Sequence, residues 1–271
     1  PDFMKISEIK NLKDGESVDL KVMVLSKKDE IRYKVFDKTG EIWVESVNDL
    51  EEGCAYRIRG VYKGGVVFVE GFEKIENPKP EDFLPVSPTI EEDEKRFWAL
   101  VEKIEDARLR DFVKTVFEPL WDMFKKGVAA KKYHHAYIGG LLQHTANVGE
   151  IVYNLSKFYN LNTDIALLGA LFHDLGKVWE FNIMPKFEHD RYYIKFGHIF
   201  LAATYIRDKG KEFGIPRNVI DEVVHIILAH HGEYSKGSPV YPKTLEALLV
   251  HLVDNLDAQM NHMMTSDEKD R

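Results

Sequence analysis

The 271-residue chain predicts a multi-domain protein, an N-terminal all-β barrel followed by a C-terminal all-α domain. Three observations predict this. Through residues 1–76 apolar and polar residues alternate with period two, the mark of half-buried strands. From residue 93 apolar residues recur at three- and four-residue spacing, the mark of helices with one buried face. Between the two regions Pro78, Pro80, Pro85 and Pro88 fall within eleven residues.

The strand-forming runs are "SVDLKVMVLSKK", "IRYKVFDKTGEIWVES" and "CAYRIRGVYKGGVVFVEGFEKI". Asp37-Lys38-Thr39-Gly40 and Lys63-Gly64-Gly65 stand between runs at hairpin spacing. Several short strands in so few residues suggest a small closed barrel over 1–76. Residues 77–92, "NPKPEDFLPVSPTIEE", are expected to be a semi-rigid linker without helix or ladder potential. In 93–271, Phe97, Leu100, Val101 and Ile104 mark one apolar helix face. Leu109, Phe112, Val113, Val116, Phe117 and Leu120 mark the next. Further helices are expected near 138–159, 163–175, 197–211, 216–231 and 242–262.

Composition removes several function classes. Net charge is −8, with 13 basic against 16 acidic residues up to residue 76 and 24 against 29 beyond it. Neither region can coat a nucleic-acid duplex by charge, so contact with a strand must use a local groove, aromatic stacking or metal ions. No apolar run reaches the roughly 18 residues that span a bilayer, and the start of the chain lacks a signal-peptide pattern. The single Cys54 fits a reducing compartment, and a cytoplasmic location is expected.

Polar ionisable residues interrupt the apolar helices at five places: His144, His173-Asp174, His198, His230-His231 and Asp254. Any one alone reads as a hydrogen-bonded core residue. Together they would bury several ionisable groups at a cost of several kcal/mol each on the transfer scales, unless one partner satisfies all. A divalent cation is such a partner, because imidazole and carboxylate are its natural ligands. Adjacent helical residues diverge by about 100°, so His173 and Asp174 can share a site only at a helix end, here leading into Gly176. Asp174 can then offer one oxygen to each of two ions. Lys177 lies one turn on, where a cation suits an anionic substrate or, more blandly, a helix C-terminus. A His-rich site with a carboxylate suits Mn²⁺, Co²⁺, Fe²⁺ or Ni²⁺ better than Mg²⁺ alone. His251, one turn before Asp254, is a candidate to orient that aspartate.

The order His, His-Asp, His, His, Asp resembles the HD superfamily of metal-dependent phosphohydrolases. "YHHAYIGGLLQHT", "ALFHDLGKVWEF" and "AHHGEYSKGSPVYPKTLEALLVHLVDNLDA", preceded by "FDKTGEIWVE", resemble the YhaM-type 3′→5′ exoribonucleases, in which an OB fold precedes an HD domain. The resemblance implies an OB-like, nucleic-acid-binding 1–76 and an HD phosphohydrolase domain in 93–271. By position it implies His144, His173, Asp174 and Asp254 as ligands of a first metal. Asp174 would bridge to a second, completed by His198 and His230, with His231 as an alternative or additional ligand. Lys177 would hold a phosphate oxygen, and His134 and His135 would contact substrate. The sequence departs from the family between 182 and 197, and family members usually continue beyond the "LDA" helix.

Two divalent ions could clamp a phosphodiester and activate water without any nucleophilic side chain. An OB barrel would add base stacking on exposed aromatics. Tyr33, Phe36, Trp43, Tyr62 and Phe68 are the candidates, with Arg32, Lys34, Arg57 and Arg59 nearby. Tyr33 shares strand parity with Val35 and Phe36 with Lys34, so alternation favours neither. The expected function is removal of nucleoside 5′-monophosphates from the 3′ end of single-stranded RNA or DNA, by a protein free to self-associate. A phosphohydrolase for nucleotides or cyclic nucleotides is the first alternative, a non-catalytic nucleic-acid-binding protein the second.

Overall fold

A computed structural model describes residues 2–131 and 136–266. His134 and His135 lie outside the described residues. The chain divides into two compact units, Pro1–Pro85 with Asn182–Phe187, and Val86–Phe181 with Glu188–Arg271.

The first unit opens with a short helix, α1 (Ile6–Ile9), and continues as five strands: β1 (Ser17–Lys27), β2 (Arg32–Asp37), β3 (Gly40–Glu45), β4 (Ala55–Lys63) and β5 (Val66–Ile75). They close as a barrel in the order β1-β2-β3-β5-β4, antiparallel except for the β3–β5 closure. Closure removes sheet edges, and the period-two pattern then sends alternate side chains inside. Val18, Leu20, Val22 and Val24 of β1 meet Val35, Val44, Ile58 and Val67 there. β5 bulges at Glu70, between the Arg59–Gly71 and Gly60–Val69 pairs, and at Gly60 a Cβ would sit 2.1 Å from the Phe68 carbonyl oxygen; only glycine lets the two strands approach.

The barrel interior takes Tyr33. Its parity with Val35 turns it inward; the ring is wholly buried, and its hydroxyl donates to Asp49 (3.2 Å) and accepts from the Leu50 amide. The expectation that Tyr33 stacks on a base is therefore corrected. Phe36 is buried as well.

Residues 77–92, expected to lack helix or ladder potential, carry both. Pro80–Asp82 form a 3₁₀ turn whose Pro80 carbonyl accepts from the Phe83 and Leu84 amides, and both of those side chains are buried. Val86 bridges to Ile138, and α2 begins already at Ile90. Proline removes donors only at its own positions; the amides between find partners. The unit boundary consequently falls inside this segment, and Asn182–Phe187 groups with the barrel rather than with the helices.

The second unit contains α2 (Ile90–Glu102), α3 (Ala107–Phe117), α4 (Trp121–Lys125), α5 (Gly140–Phe158), α6 (Thr163–Phe172), α7 (Lys177–Glu180), α8 (Gly197–Phe213), α9 (Arg217–Ala229) and α10 (Leu245–Thr265). Asp106, Asn162 and Thr244 cap α3, α6 and α10 through their side-chain oxygens. Every residue of α6 from Ile165 to Phe172 is buried, so this helix is apolar all round and runs through the core, packed on α5, α9 and α10. Phe172 at its end stacks on Phe117 within a cluster that includes Phe97, Phe112 and Phe124. The core helix thereby delivers the residues that follow it, His173 and Asp174, to the centre of the unit.

Candidate metal centre

His173 caps the C-terminus of α6 and Asp174 starts the turn to α7. Gly176 completes that turn against α8: a Cβ there would lie 2.0 Å from the His198 carbonyl oxygen. Four donor atoms converge from three helices: His144 Nε2 (α5), His173 Nε2 and Asp174 Oδ2 (the end of α6), and Asp254 Oδ1 (α10). His144 Nε2 lies 2.8 Å from Asp254 Oδ1 and 3.2 Å from His173 Nε2. Asp174 Oδ2 is 3.4 Å from each histidine. Donors about 2.0–2.1 Å from one ion stand about 3.0 Å apart on an octahedral edge and about 3.4 Å on a tetrahedral one. The observed separations are those of a coordination polyhedron.

Asp174 has a second face. Its Oδ1 is 3.5 Å from His198 Nε2 and 3.4 Å from His230 Nε2. His231 joins these two histidines in a second donor group. All three of Asp174 Oδ1, His198 Nε2 and His230 Nε2 are buried without a hydrogen-bond partner among the described residues. Leaving such atoms unsatisfied costs about 1–3 kcal/mol each, and a cation between them removes the cost. The chemistry and spacing of both donor groups fit divalent metal.

The other ring nitrogens fix this arrangement. His173 Nδ1 donates to the Ala170 carbonyl at 2.6 Å, His230 Nδ1 to Ile227 at 2.6 Å and His231 Nδ1 to Lys236 at 2.8 Å. His144 Nδ1 donates to Asp257 Oδ2 at 2.6 Å, and His198 Nδ1 to Glu180 Oε2 at 2.8 Å. With the proton held on Nδ1, each Nε2 turns a lone pair to the centre. Asp257 and Glu180 were not singled out in the sequence. Asp257 follows Asp254 by three residues and Glu180 follows Lys177 by three, so same-face spacing was the available signal.

Burial alone would lower the His173 pKa, but the Asp174 and Asp254 carboxylates outweigh it and raise it to about 10. Burial tends to raise Asp174, yet Lys177 and His173 hold it well below the usual carboxylate range. Asp254 is likewise held low, against burial, by His144 and His173. His231 is lowered to about 3 by burial and then by His230 and His198. A divalent ion would take the place of the proton that the Asp174 and Asp254 carboxylates favour on His173.

Lys177 is buried at the first residue of α7, not solvated at the end of α6. Its ammonium donates to Asp174 Oδ2 (3.0 Å) and the Ala129 carbonyl (2.5 Å). His251 donates to the His230 carbonyl at 2.8 Å, so it braces a histidine rather than orienting Asp254. His198, His230, His231 and Asp254 line a cavity of about 370 Å³ whose walls also include Lys131, Lys177, Lys236, His251 and Asn255. In the barrel, Trp43 is half-buried with Lys34 and Lys28 at 5.0 and 5.5 Å from its ring, and Arg57 forms a two-pronged pair with Asp19. Phe68 is exposed. The sequence's seven metal-ligand candidates are brought together.

Residues 141–259 match the HD domain family. Three relatives carry the name 3′-5′ exoribonuclease YhaM. The Geobacillus sp. protein is 30% identical over 190 residues, 69% of this chain and 59% of its own length. The Bacillus pumilus protein is 27% identical over 274 residues, 92% and 87% of the two chains. That of Oceanobacillus iheyensis is 28% identical over 216 residues, 79% and 68%. Two solved structures align loosely: the S. pombe Stn1-ten1 complex (17% identity, 28% of this chain and 78% of that one, TM-score 0.26) and the L. monocytogenes phosphodiesterase PgpH HD domain (15%, 58% and 75%, TM-score 0.32). Residues 141–259 thus match the HD domain, the chain spans about three fifths of the length of the Geobacillus relative, and over most of its own length it resembles proteins named 3′-5′ exoribonuclease YhaM.

Proposed function

We propose that this protein removes nucleoside 5′-monophosphates from the 3′ end of single-stranded RNA or DNA, using two divalent ions shared by Asp174. The single observation that carries the reading is Asp174 itself, with one oxygen toward His144 and His173 and the other toward His198 and His230. His144, His173, Asp174 and Asp254 would hold one ion; Asp174, His198, His230 and His231 would hold the other. Mn²⁺, Co²⁺, Fe²⁺ or Ni²⁺ suits this donor set better than Mg²⁺ alone. Bound there, such ions supply charge for the phosphodiester oxygens and a water acidic enough to attack near neutral pH.

The chain's own groups do the rest. Asp257 and Glu180 keep the His144 and His198 protons on Nδ1. Lys177 stands against Asp174 with its ammonium lining the cavity, where it stabilises charge on a non-bridging phosphate oxygen. Lys131 and Lys236 add positive charge to the same walls. At about 370 Å³ the cavity has the size of a single-ligand site, enough for one terminal nucleotide and too small for a duplex. In the barrel, Trp43, Tyr62 and Phe68 are the candidate aromatics left to stack on bases; Arg57, paired with Asp19, must exchange a carboxylate for a phosphate to take part. The relatives named as exoribonucleases support the polymer substrate.

The test is single-stranded RNA labelled at either end, incubated with the protein and Mn²⁺, beside Asp174→Ala. The expected result is early release of the 3′ label as a nucleoside 5′-monophosphate by the wild type alone. Turnover of free nucleotides without attack on RNA would favour the small-molecule phosphohydrolase, which the single-nucleotide size of the cavity also admits.

A further inference from the structure

A ladder of exposed aromatic rings leads away from the cavity of the candidate metal centre. Phe181 and His189 lie on the cavity wall with their ring centroids 4.8 Å apart. Soon after His189 the chain presents Tyr192, then Phe196, then Phe200, each between 43% and 59% exposed. Tyr192 meets Phe196 at 5.6 Å between centroids, and Phe196 stacks on Phe200 at 5.9 Å with 22° between the ring planes. The backbone fixes this ladder. Asp190 accepts from the Tyr192 and Tyr193 amides at 2.8 and 3.0 Å, ahead of the 3₁₀ turn Tyr193–Lys195. Gly197, at φ +76°, then turns the chain into α8, so Phe196 stands at the helix start and Phe200 one turn on. Charge accompanies the rings. From Arg191 to Lys211 the sequence carries Arg191, Lys195, Arg207, Lys209 and Lys211 against the single carboxylate of Asp208, in a chain of net charge −8. Lys195 lies 5.7 Å from the Tyr192 ring centroid, and Phe200, Thr204, Arg207 and Lys211 share one face of α8. Among the described residues Arg191, Lys195, Arg207 and Lys211 make no ion pair.

We propose that Tyr192, Phe196 and Phe200 are the platform on which a single strand stacks the bases upstream of its 3′ end, with Lys195 and Arg207 taking its phosphates; this rests on the strand-degrading reading above. The occupant follows from the chemistry. Ring faces in water beside unpaired cations match a polymer that offers flat bases and phosphates together, and a strand's bases are free to stack where a duplex's are not. Stacking is tolerant of sequence, which suits a protein that must hold whatever base comes next. Position agrees with the role. His198 lies between Phe196 and Phe200 in sequence, and at about 100° per residue Phe200 points nearly opposite to it. The rings therefore stand about one helix width, roughly 10–12 Å, from the metal centre. A strand ending in the cavity meets them only with nucleotides it has yet to lose. Phe181 and His189 on the cavity wall, with Tyr192 close behind, mark the way from one to the other. Tyr192 and Phe196 fall within 182–197, where the sequence departs from the family it resembles, so the platform is a feature of this chain's own residues.

The test is fluorescence anisotropy of a labelled single-stranded RNA of about ten nucleotides, with the full chain treated with chelator so that no strand is cut. Loss of one base stacked on a ring weakens binding by about 5- to 150-fold. F196A/F200A is therefore expected to bind RNA at least tenfold more weakly than wild type, with its Mn²⁺ affinity unchanged in competition against a chelator. F196W/F200W, which keeps the ring faces, is expected to bind RNA as wild type does. Arg207→Gln should lower the slope of log affinity against log salt by about 0.7, the share of one phosphate contact on a single strand. RNA affinity in F196A/F200A equal to that of wild type overturns the platform, as does a loss that F196W/F200W shares. A loss matched by weaker Mn²⁺ binding places the effect on His198 and overturns it too. An unchanged salt slope in Arg207→Gln overturns the path along α8. A wild type that binds neither RNA nor DNA strands overturns the strand reading itself, whereas strand binding indifferent to F196A/F200A overturns the platform alone. If that variant instead lowers the mass of the chain in solution, the rings are a contact between copies.

Discussion

Asp257→Asn isolates the tie that orients His144. Among the described residues the carboxylate accepts from His144 Nδ1 at 2.6 Å and from Asn147 Nδ2 at 2.9 Å, and Asn147 is itself held because its oxygen accepts from Arg96. Asparagine offers one oxygen and one amide nitrogen in the same shape. If its oxygen goes to Asn147, its NH₂ faces His144 Nδ1, which must then become the acceptor and move its proton to Nε2, the atom aimed at the centre. If its oxygen goes to His144, its NH₂ opposes the Asn147 NH₂, which can turn only by breaking the Arg96 bond. Either way one buried group loses its partner, worth about 1–3 kcal/mol. Loss of such a positioning group typically weakens metal binding by about 10–100-fold, or about 1.4–2.7 kcal/mol. Competition for Mn²⁺ against a chelator of known affinity measures this directly, with Asp257→Glu as the variant that keeps an acceptor. Unchanged affinity in Asp257→Asn would refute the claim that Asp257 sets the His144 tautomer.

Other consequences are simpler to read. Phe172→Ala empties a fully buried site stacked on Phe117 and should cost about 3–5 kcal/mol in thermal or denaturant unfolding. Gly176→Ala places a Cβ against the His198 carbonyl and should lower metal affinity as well as stability, seen by chelator competition on the soluble fraction. Glu150 is held below its ordinary value of 4.5 by its two-pronged bond to Arg96, so its stabilisation is present above that value and is lost as pH falls through the lower folded one; Glu150→Gln should flatten this acid limb of the unfolding-temperature profile. Mn²⁺ at about 100 times its dissociation constant should stabilise the chelator-treated protein by about 2.7 kcal/mol for each site filled, and should do nothing for Asp174→Ala.

Much of this was legible because the relevant signals are short-range. Period-two runs gave the barrel strands, and apolar stripes gave α2, α3 and the helices after Gly139, with bounds that shift by a few residues at caps such as Asn162 and Thr244. His144, His173, Asp174, His198, His230, His231 and Asp254 stood out as ionisable residues inside apolar surroundings, which is the visible cost of a buried site. Asp257 and Glu180 did not stand out, because a carboxylate among other helical polar residues looks like any solvated face until its histidine partner is placed beside it. Tyr33 was misread since strand parity fixes which residues share a face but not which face is inside. Residues 77–92 were misread since proline content says nothing about amides that bond to proline carbonyls, as those of Phe83 and Leu84 do. The role of His251 was missed by spacing alone: one turn from Asp254 in sequence, it reaches instead across to the carbonyl of His230.

The most direct measurement of the central claim is a calorimetric titration of Mn²⁺ into chelator-treated protein. Asp174 divided between two donor groups requires two sites per chain in the wild type and loss of both in Asp174→Ala. A single site, or two sites that survive Asp174→Ala, would contradict it.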